Sequence, residues 1–263
     1  MVDVVTEVRT DLEAESAYVD SLVADVAPEA WASPTPAAGW TVGHQIAHLA
    51  WTDDASLLAI RDPDAFRASL DGVVAESMVD TAAEEYLDEP ARLLARWRRG
   101  RAELQDAIAS IPSGQKVPWY GTPMSAASMA TARLMETWAH GLDVADGLGR
   151  PRSPASVRLR HIARLGFRVL PYAFAANGRP IPEQPVHVRL AAPDGTEWTF
   201  GPAEASNVVT GSALDFCLRV TQRAHLADLD LVAVGPVATE WLEIAQAFAG
   251  LPGPGRAPTG GEA

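Results

Sequence analysis

Four amphipathic segments, separated by loops that contain proline and glycine, occupy the first 150 residues of the chain. Apolar residues recur in these segments at spacings of three and four, which predicts helices with one buried face. The predicted helices cover about 3–27, 42–61, 93–111 and 124–148. Thr41 is a suitable N-cap for the second helix, and Gly149 with Pro151 ends the fourth. Because each apolar face must be buried against another helix, the economical arrangement is a four-helix bundle.

The second half of the chain has a different pattern. A helix is expected over about 154–175, and the apolar runs on either side of Asp194-Gly195 predict a β-hairpin. A strand leading into a helix, a further strand and a final amphipathic helix follow. We therefore expect an α+β chain. The expected domains are a helical domain at 1–150, a connecting helix and linker at 151–182, a small α+β domain at 183–251 and a disordered tail at 252–263.

Charge and cysteine content exclude several classes of function. The formal net charge is −13, which disfavours nucleic acid or an anionic membrane as a partner, because both select basic surfaces. A single cysteine, Cys217, excludes an internal disulfide framework and a cysteine-based metal cluster. The first residues lack the pattern of a signal peptide, and no apolar run is long enough to span a membrane. We expect a cytoplasmic protein that acts on a small molecule.

Two of the predicted helices carry pairs of metal-ligating residues at one-turn spacing. Glu136 and His140 lie on one face of the fourth helix, and His44 and His48 lie on one face of the second. Zinc accepts mixed imidazole and carboxylate ligands, and catalytic zinc sites keep one position open. Three ligands drawn from two facing helices of a bundle would form such a site.

A glutamate and a histidine at this spacing also occur by chance, as a solvated pair or a capped core histidine. The apolar neighbours of Glu136 and His140 place them near the bundle interior, where an unpaired charge is costly. A bound cation would remove that cost. Arg133 and Asp143 extend the same stripe by one turn each way, either to orient a ligand or as a plain intrahelical ion pair.

Three motifs carry a resemblance to a known family. They are G-W-T-V-G-H-Q-I-A-H-L-A at 39–50, W-Y-G-x-P-M-S at 119–125 and R-L-M-E-T-W-A-H-G-x-D at 133–143. With them the chain resembles the DinB-like, mycothiol-dependent maleylpyruvate isomerase superfamily, in particular an uncharacterised actinobacterial branch known as metal-binding. The resemblance covers nearly the whole chain, because the pattern of 183–250 is similar to the family's small domain of sterol-carrier-protein type.

The resemblance implies a set of functional residues. The family's metal ligands fall on His48, Glu136 and His140, and zinc is the expected ion. His44 does not match the usual triad, so it is expected to be a catalytic acid or base, a fourth ligand or a bystander. The family's second domain supplies an arginine to the active-site cleft, and Arg223 occupies a comparable place, with Arg219 as an alternative. The implied cofactor besides the metal is mycothiol, a small thiol.

Three functions are compatible with these residues. The first is a metal-dependent transferase or isomerase in which a thiol cofactor adds to an electrophilic small molecule, with Arg223 pairing to a substrate carboxylate. The second is a thiol-independent hydrolase, lyase or cyclase that uses metal-bound water or Lewis acidity, with His44 as acid/base. The third is a non-catalytic carrier with a structural metal, which three ligands disfavour because structural zinc sites use four.

Other candidate residues are expected to be structural. Cys217 shares an apolar stripe with its helical neighbours, which favours a buried thiol over a nucleophile. His161, His187 and His225 have no metal-ligand spacing. Trp119-Tyr120 precedes the fourth helix and is interpreted either as a substrate wall or as a core plug.

Overall fold

The computed structural model describes residues 3–71 and 75–259. The chain forms two compact units, Met1–Ser153 and Pro154–Ala263, which are described separately below. Its mixture of helices and small sheets makes it an α+β protein, which confirms the expected fold class. No helix within the described ranges has both the length and the apolar character needed to cross a membrane.

Helices dominate the first unit. In chain order they are α1 (Val4–Val23), α2 (Val42–Arg61), α3 (Pro63–Ala68), α4 (Ala75–Glu85), α5 (Pro90–Ser110) and α6 (Ala126–Gly147), with a 3-10 helix at Pro28–Ala32. A two-stranded ribbon, β1 (Lys116–Val117) and β2 (Met124–Ser125), precedes α6. The long helices α1, α2, α5 and α6 pack against one another, and α2 contacts both α5 and α6.

The apolar stripe predicted for the second helix forms the centre of this unit. Val42, Ile46 and Leu49 of α2 are fully buried, and they belong to one core cluster with Trp97 of α5 and Val144 of α6. Burying each of these side chains stabilises the fold by about 1.5–3 kcal/mol relative to an exposed position. The helix α2, which carries His44 and His48, is therefore packed against both α5 and α6 in the core.

Most of the departures from the predicted helices lie outside this core. The acidic segment 76–89, for which no helix was predicted, contains most of α4, and the proline-bearing segment before it contains α3, with Pro63 in its first turn. The first helix ends at Val23 rather than near residue 27, and a 3-10 helix follows. The second helix has the predicted bounds, because Thr41 caps it through a capping box with His44.

The second unit is a four-stranded sheet with helices. Its elements are α7 (Leu159–Arg168), α8 (Leu170–Ala176), β3 (Val186–Ala191), β4 (Glu197–Phe200), β5 (Asn207–Ser212), α9 (Ala213–Val220), β6 (Leu231–Val234) and α10 (Pro236–Ile244). The strand order is β4-β3-β5-β6. β3 pairs antiparallel with β4 and parallel with β5, and β5 pairs antiparallel with β6. The predicted hairpin is thus confirmed, with Gly195 at φ +81° in its turn.

The prediction of a single continuous helix over 154–175 is wrong. Two helices, α7 and α8, occupy this stretch, and they meet at Val169, whose φ and ψ are −95° and 12°. Pro171 lies in the first turn of α8, where its missing N–H and fixed φ are tolerated, so a new helix begins there. Residues 251–258 form no helix or strand; the remainder of the predicted disordered tail, 260–263, lies outside the described residues.

Candidate metal centre

His48, Glu136 and His140 each bring one potential ligand atom into a common space. These three atoms all lie within 4.8 Å of one another. Nε2 of His140 lies 3.1 Å, and Nε2 of His48 lies 3.5 Å, from the same oxygen, Oε2 of Glu136. Two imidazoles and one carboxylate are a ligand set that zinc accepts, and three protein ligands leave a position for water or a substrate.

The helices explain how the three side chains meet. Glu136 and His140 are one turn apart on α6, and His48 projects from α2, which packs against α6. The neighbours Met135, Trp138 and Ala139 are buried, so the ligands lie in an apolar part of the first unit. In such surroundings an uncompensated carboxylate would be costly, and a cation offsets that cost.

The imidazole of His48 supports a bound cation. The residue is 6% exposed, and neither ring nitrogen has a hydrogen-bond partner among the residues that the structure describes. Its 3.5 Å approach to Glu136 is too long for a good hydrogen bond. A buried polar atom left unpaired costs about 1–3 kcal/mol. Coordination of a metal by Nε2 would satisfy it, so the residues fit the ion.

The carboxyl group of Glu136 is held in its charged form. Burial by itself would raise the pKa of this group, but the hydrogen bond with His140 and the charge interactions with His140 and His48 outweigh burial and lower the pKa well below its usual value. A carboxylate that stays ionised is available as a metal ligand over the physiological pH range.

A buried glutamine fixes the orientation of His140. The Thr35 hydroxyl donates to the carbonyl of Trp40 at 2.9 Å and accepts from Nε2 of Gln45 at 2.9 Å. The remaining amide oxygen of Gln45 therefore faces Nδ1 of His140, 2.5 Å away, and accepts its proton. This leaves the Nε2 lone pair of His140 pointing at Glu136. A lone pair and a carboxylate 3.1 Å apart repel each other unless a proton or a metal cation lies between them.

The segment that carries the candidate ligands matches a known family. Residues 12–145 match the family model described as the mycothiol maleylpyruvate isomerase N-terminal domain, and the match covers more than half of the chain. The chain belongs to this family. Residues 182–234 separately match a model described as wyosine base formation. All three candidate ligands lie within the segment matched by the isomerase model.

Relatives of this family member include two uncharacterised proteins of Mycobacterium tuberculosis, from strains CDC 1551 / Oshkosh and ATCC 25618 / H37Rv. Each is 53% identical over 249 residues, which is 94% of this chain and 96% of the relative. Among solved structures, the mycothiol-dependent maleylpyruvate isomerase and a variant of it with one histidine replaced by alanine superpose with a TM-score of 0.61. The alignment covers 89% of this chain and 95% of each of those chains at 18% identity, so it establishes a shared fold.

Gln45 was not predicted as a functional residue in this member of the isomerase family. It stands between His44 and His48 in the sequence. The available signal for a functional role was that a polar residue occupies a position that the helical periodicity predicts to be buried. The side chain is fully buried and belongs to the hydrogen-bond chain that orients a ligand. Partners of this kind fix the tautomer of a metal-ligating histidine.

Replacing Gln45 should weaken metal binding without removing a ligand. Gln45→Leu keeps the volume but loses the acceptor for Nδ1–H of His140, so we expect zinc affinity to fall by about 10–100-fold. Gln45→Glu retains an acceptor and should stay within a few-fold of the natural protein. Competition with a chromogenic chelator measures both affinities. Equal loss in the two variants would show that Gln45 acts through packing alone.

His44 lies apart from the ligand triad in the structure. Its Nδ1 accepts from the backbone N–H of Thr41 at 3.2 Å, within the capping box, and its Nε2 lies 2.9 Å from Oε2 of Glu84 on α4. Both ring nitrogens are therefore occupied, one by the helix cap and one by a carboxylate. These contacts give His44 a role in capping the helix. Its role as a catalytic acid or base stays a prediction.

The indole of Trp40 covers one side of the metal centre. Its ring stacks on His140 at a centroid distance of 5.9 Å and lies 5.4 Å from the ring of His48. Its Nε1 donates to Oδ1 of Asp80 at 2.9 Å, which ties the indole to α4. Access of a small molecule to the ligands is thereby restricted on this side.

Arg133, predicted either to orient a ligand or to form an ion pair along its own helix, pairs instead with the neighbouring helix. Its Nε and one terminal nitrogen lie 3.0 Å from Oδ1 of Asp53 on α2, and both side chains are buried. Burial raises the pKa of Asp53, and the guanidinium opposes that rise. The pair joins α2 and α6 about one turn from His48 and Glu136, and thus helps to set the register of the ligands.

A surface groove of about 380 Å³ lies between α2 and α5, away from the ligand triad. Four of its charged residues form two ion pairs within the groove, Arg96 with Asp54 at 2.9 Å and Arg61 with Glu103 at 2.8 Å, and Arg99 also lines it. None of His48, Glu136 and His140 lines it. The groove therefore does not mark the metal centre.

Arg219 and Arg223, the arginines predicted for the cleft, both belong to the second unit. Arg219 is buried and donates to the carbonyls of Leu242 and Glu243 at 2.5 and 2.8 Å, so it holds the end of α10. Arg223 follows α9 and donates to the carbonyl of Thr221 at 2.8 Å. These contacts give Arg219 a structural role. The role of Arg223 toward a substrate remains a prediction.

The remaining candidates of the second unit have structural surroundings. Cys217 is buried, and burial raises the pKa of its thiol far above the ordinary value, so it is not a nucleophile at neutral pH. Nδ1 of His187 lies 3.2 Å from the carbonyl of Gly201, and Nδ1 of His225 accepts from the N–H of Ala227 at 3.1 Å. These contacts are to the backbone, as expected of structural histidines.

Proposed function

We propose that the protein is a zinc-dependent enzyme that uses a small thiol, mycothiol, to transfer sulfur to an electrophilic small molecule or to isomerise it. The observation that carries this proposal is the cluster of three candidate ligands, in a chain that belongs to the mycothiol maleylpyruvate isomerase family. Addition of the thiol alone gives an S-conjugate. Addition, rotation about the resulting single bond and elimination give cis–trans isomerisation.

The ligand charges support a thiol as the fourth partner. Glu136 contributes one negative charge and the two imidazoles are neutral when they bind a metal, so a divalent ion would keep one net positive charge. A metal in this site would lower the pKa of a coordinated thiol and supply a thiolate near neutral pH. The Nδ1–H of His140, held by Gln45, keeps its Nε2 available to the ion.

Other residues have proposed roles around this centre. Arg223 would pair with a carboxylate of the substrate through its bidentate guanidinium. His44 would serve as acid or base after leaving Glu84, from which its Nε2 is 2.9 Å away. The two units would correspond to a DinB-like four-helix bundle and a small domain of sterol-carrier-protein type. The reaction takes place on a small molecule in the cytoplasm.

Titration of the cobalt-substituted protein with mycothiol tests the proposal. We expect release of a proton and a new sulfur-to-cobalt charge-transfer band, because an ordinary thiol with a pKa near ~8.5 is deprotonated by the metal. S-methylated mycothiol, the matched ligand control, should produce neither change. An unchanged cobalt spectrum together with thiol-independent turnover of a substrate would reject the proposal in favour of a metal-dependent hydrolase, lyase or cyclase.

A further inference from the structure

Four aromatic side chains of the first unit form a connected surface, here called the aromatic platform: Trp51, Phe66, Trp119 and Tyr120. The Tyr120 ring lies 6.1 Å from Trp51, 5.3 Å from Phe66 and 4.9 Å from Trp119. The rings of Phe66 and Trp119 are nearly parallel and stacked, with an interplanar angle of 6° and a centroid distance of 5.7 Å. These separations are those of interacting aromatic pairs. The platform is thus one contiguous cluster of aromatic rings, stacked, tilted and edge-on to one another, built from α2, α3 and the loop before α6.

One edge of the platform meets the metal centre. The Trp51 ring lies 5.6 Å from the ring of His48, which is three residues earlier on α2. On the other side of the ligands, Trp40 stacks on His140 and is tied to Asp80. A molecule that reaches the ligands past Trp51 would therefore lie along the platform.

The platform is partly open to solvent. Phe66 is fully buried and packs with Ala55 and Ala59, so this part of the platform belongs to the hydrophobic core. Trp51, Trp119 and Tyr120 are only partly buried. Trp119 and Tyr120 pack against this core, as the core-plug interpretation expects. Together with Trp51 they also keep part of their surface open near His48, which is typical of a binding site.

Polar groups of the platform are available to a ligand. The indole N–H groups of Trp51 and Trp119 and the hydroxyl of Tyr120 make no hydrogen bond to any residue in the described ranges. Burial raises the pKa of Tyr120, so its hydroxyl remains a neutral donor. Indole offers only a donor. The platform therefore combines flat apolar faces with groups that would hydrogen-bond to acceptor oxygens of a ligand.

We propose that the aromatic platform binds an aromatic ring of the substrate, which is an arene bearing acceptor oxygens. This inference rests on the proposed function, because the platform is taken to present the electrophile to the open side of the metal centre. Trp51 would stack on the conjugated plane next to His48. Tyr120, whose ring is tilted by 46° from that of Trp51, would contact the edge of that plane and donate to an oxygen.

Binding of an unreactive planar probe tests the platform without any thiol. We expect the zinc-loaded protein to bind dinitroaniline in equilibrium dialysis, and Trp51→Leu and Tyr120→Leu each to weaken binding by about tenfold or more through lost stacking. Trp51→Phe and Tyr120→Phe, which disturb folding least, should weaken binding of the probe only a few-fold. Tyr172→Leu, an equally polar and more exposed aromatic position of the second unit, should bind as the natural protein does.

A kinetic comparison then tests the electrophile class. With chlorodinitrobenzene, the thiol sulfur bonds to the ring carbon, the carbon–chlorine bond breaks, chloride leaves and the thiol proton passes to the buffer. Trp51→Leu should lower kcat/KM for this substrate by about tenfold but change it little for iodoacetamide, which has no conjugated ring.

The two arms separate this inference from the proposed function. Probe binding that does not change in Trp51→Leu and Tyr120→Leu, or that falls equally in Tyr172→Leu, would overturn the platform as a binding surface. Probe binding that depends on the platform supports it even if mycothiol has no effect on the cobalt spectrum. Equal losses of kcat/KM for both electrophiles in Trp51→Leu would overturn selectivity for planar substrates.

Discussion

Replacing Glu136 by alanine is expected to leave the purified protein with almost no zinc. Glu136 is the only anionic member of the triad, and its Oε2 lies near both imidazoles. Without it, a divalent ion would lie between two neutral ligands in an apolar region. Loss of an outer-shell partner lowers metal affinity by about 10–100-fold. We expect the loss of Glu136, a candidate direct ligand, to lower zinc affinity by more than that. His48→Ala and His140→Ala should have similar effects, measured by elemental analysis after dialysis.

His44→Ala provides the matched control for these variants. His44 has the same one-turn spacing from His48 that Glu136 has from His140, but its nitrogens face Thr41 and Glu84. We therefore expect the variant to keep about one zinc per chain, with a modest loss of stability from the missing cap, about 0.5–2 kcal/mol. Full zinc occupancy in the Glu136→Ala/His140→Ala double variant would disprove the metal centre. Zinc loss in His44→Ala would make His44 a ligand.

The sequence predicted best those features that depend on local pattern. The second helix has the predicted bounds because Thr41 is a strong N-cap signal and the apolar stripe begins directly after it. Glu136 and His140 could be paired in advance, since one-turn spacing on a helix places side chains side by side. The hairpin at Asp194-Gly195 follows from turn chemistry in the same way.

Features that depend on which helices touch were not accessible from the sequence. Arg133 could be placed on the ligand stripe, but its partner Asp53 lies 80 residues away on another helix. The role of Gln45 depends on the distance from α2 to α6, which no local pattern encodes. The helices α3 and α4 were not predicted because they are only 6 and 11 residues long, which is short for a repeating apolar pattern to stand out.

Breaking the buried pair between Arg133 and Asp53 should cause the largest loss of stability. The two side chains are 1% and 7% exposed, and both guanidinium contacts go to one carboxylate oxygen at 3.0 Å. Arg133→Met retains most of the packing volume but leaves the carboxyl group of Asp53 buried without its cation. Loss of one partner from such a pair destabilises a protein by about 3–5 kcal/mol. Urea unfolding followed by far-ultraviolet circular dichroism measures this change.

The pH dependence of that loss identifies its cause. Burial already raises the pKa of Asp53, and removing the guanidinium that opposes this rise should raise it further. Above the unfolded-state pKa of ~3.9, the folded variant then binds more protons at Asp53 than the unfolded chain does, so its stability falls as pH rises. We therefore expect Arg133→Met to be closer to the natural protein in acid than in mildly alkaline buffer. A deficit that does not vary with pH would indicate lost packing instead.

Two further variants complete this argument. Asp53→Leu/Arg133→Met removes both charges and should recover most of the lost stability, because a buried ion pair replaced by apolar groups is often neutral. Arg67→Met breaks an exposed pair with Asp64 and should change stability little. The pair also joins α2 to α6 about one turn from His48 and Glu136, so Arg133→Met should weaken zinc binding as well. Recovery of stability without recovery of zinc affinity in the double variant would show that the ion pair sets the register of the ligands.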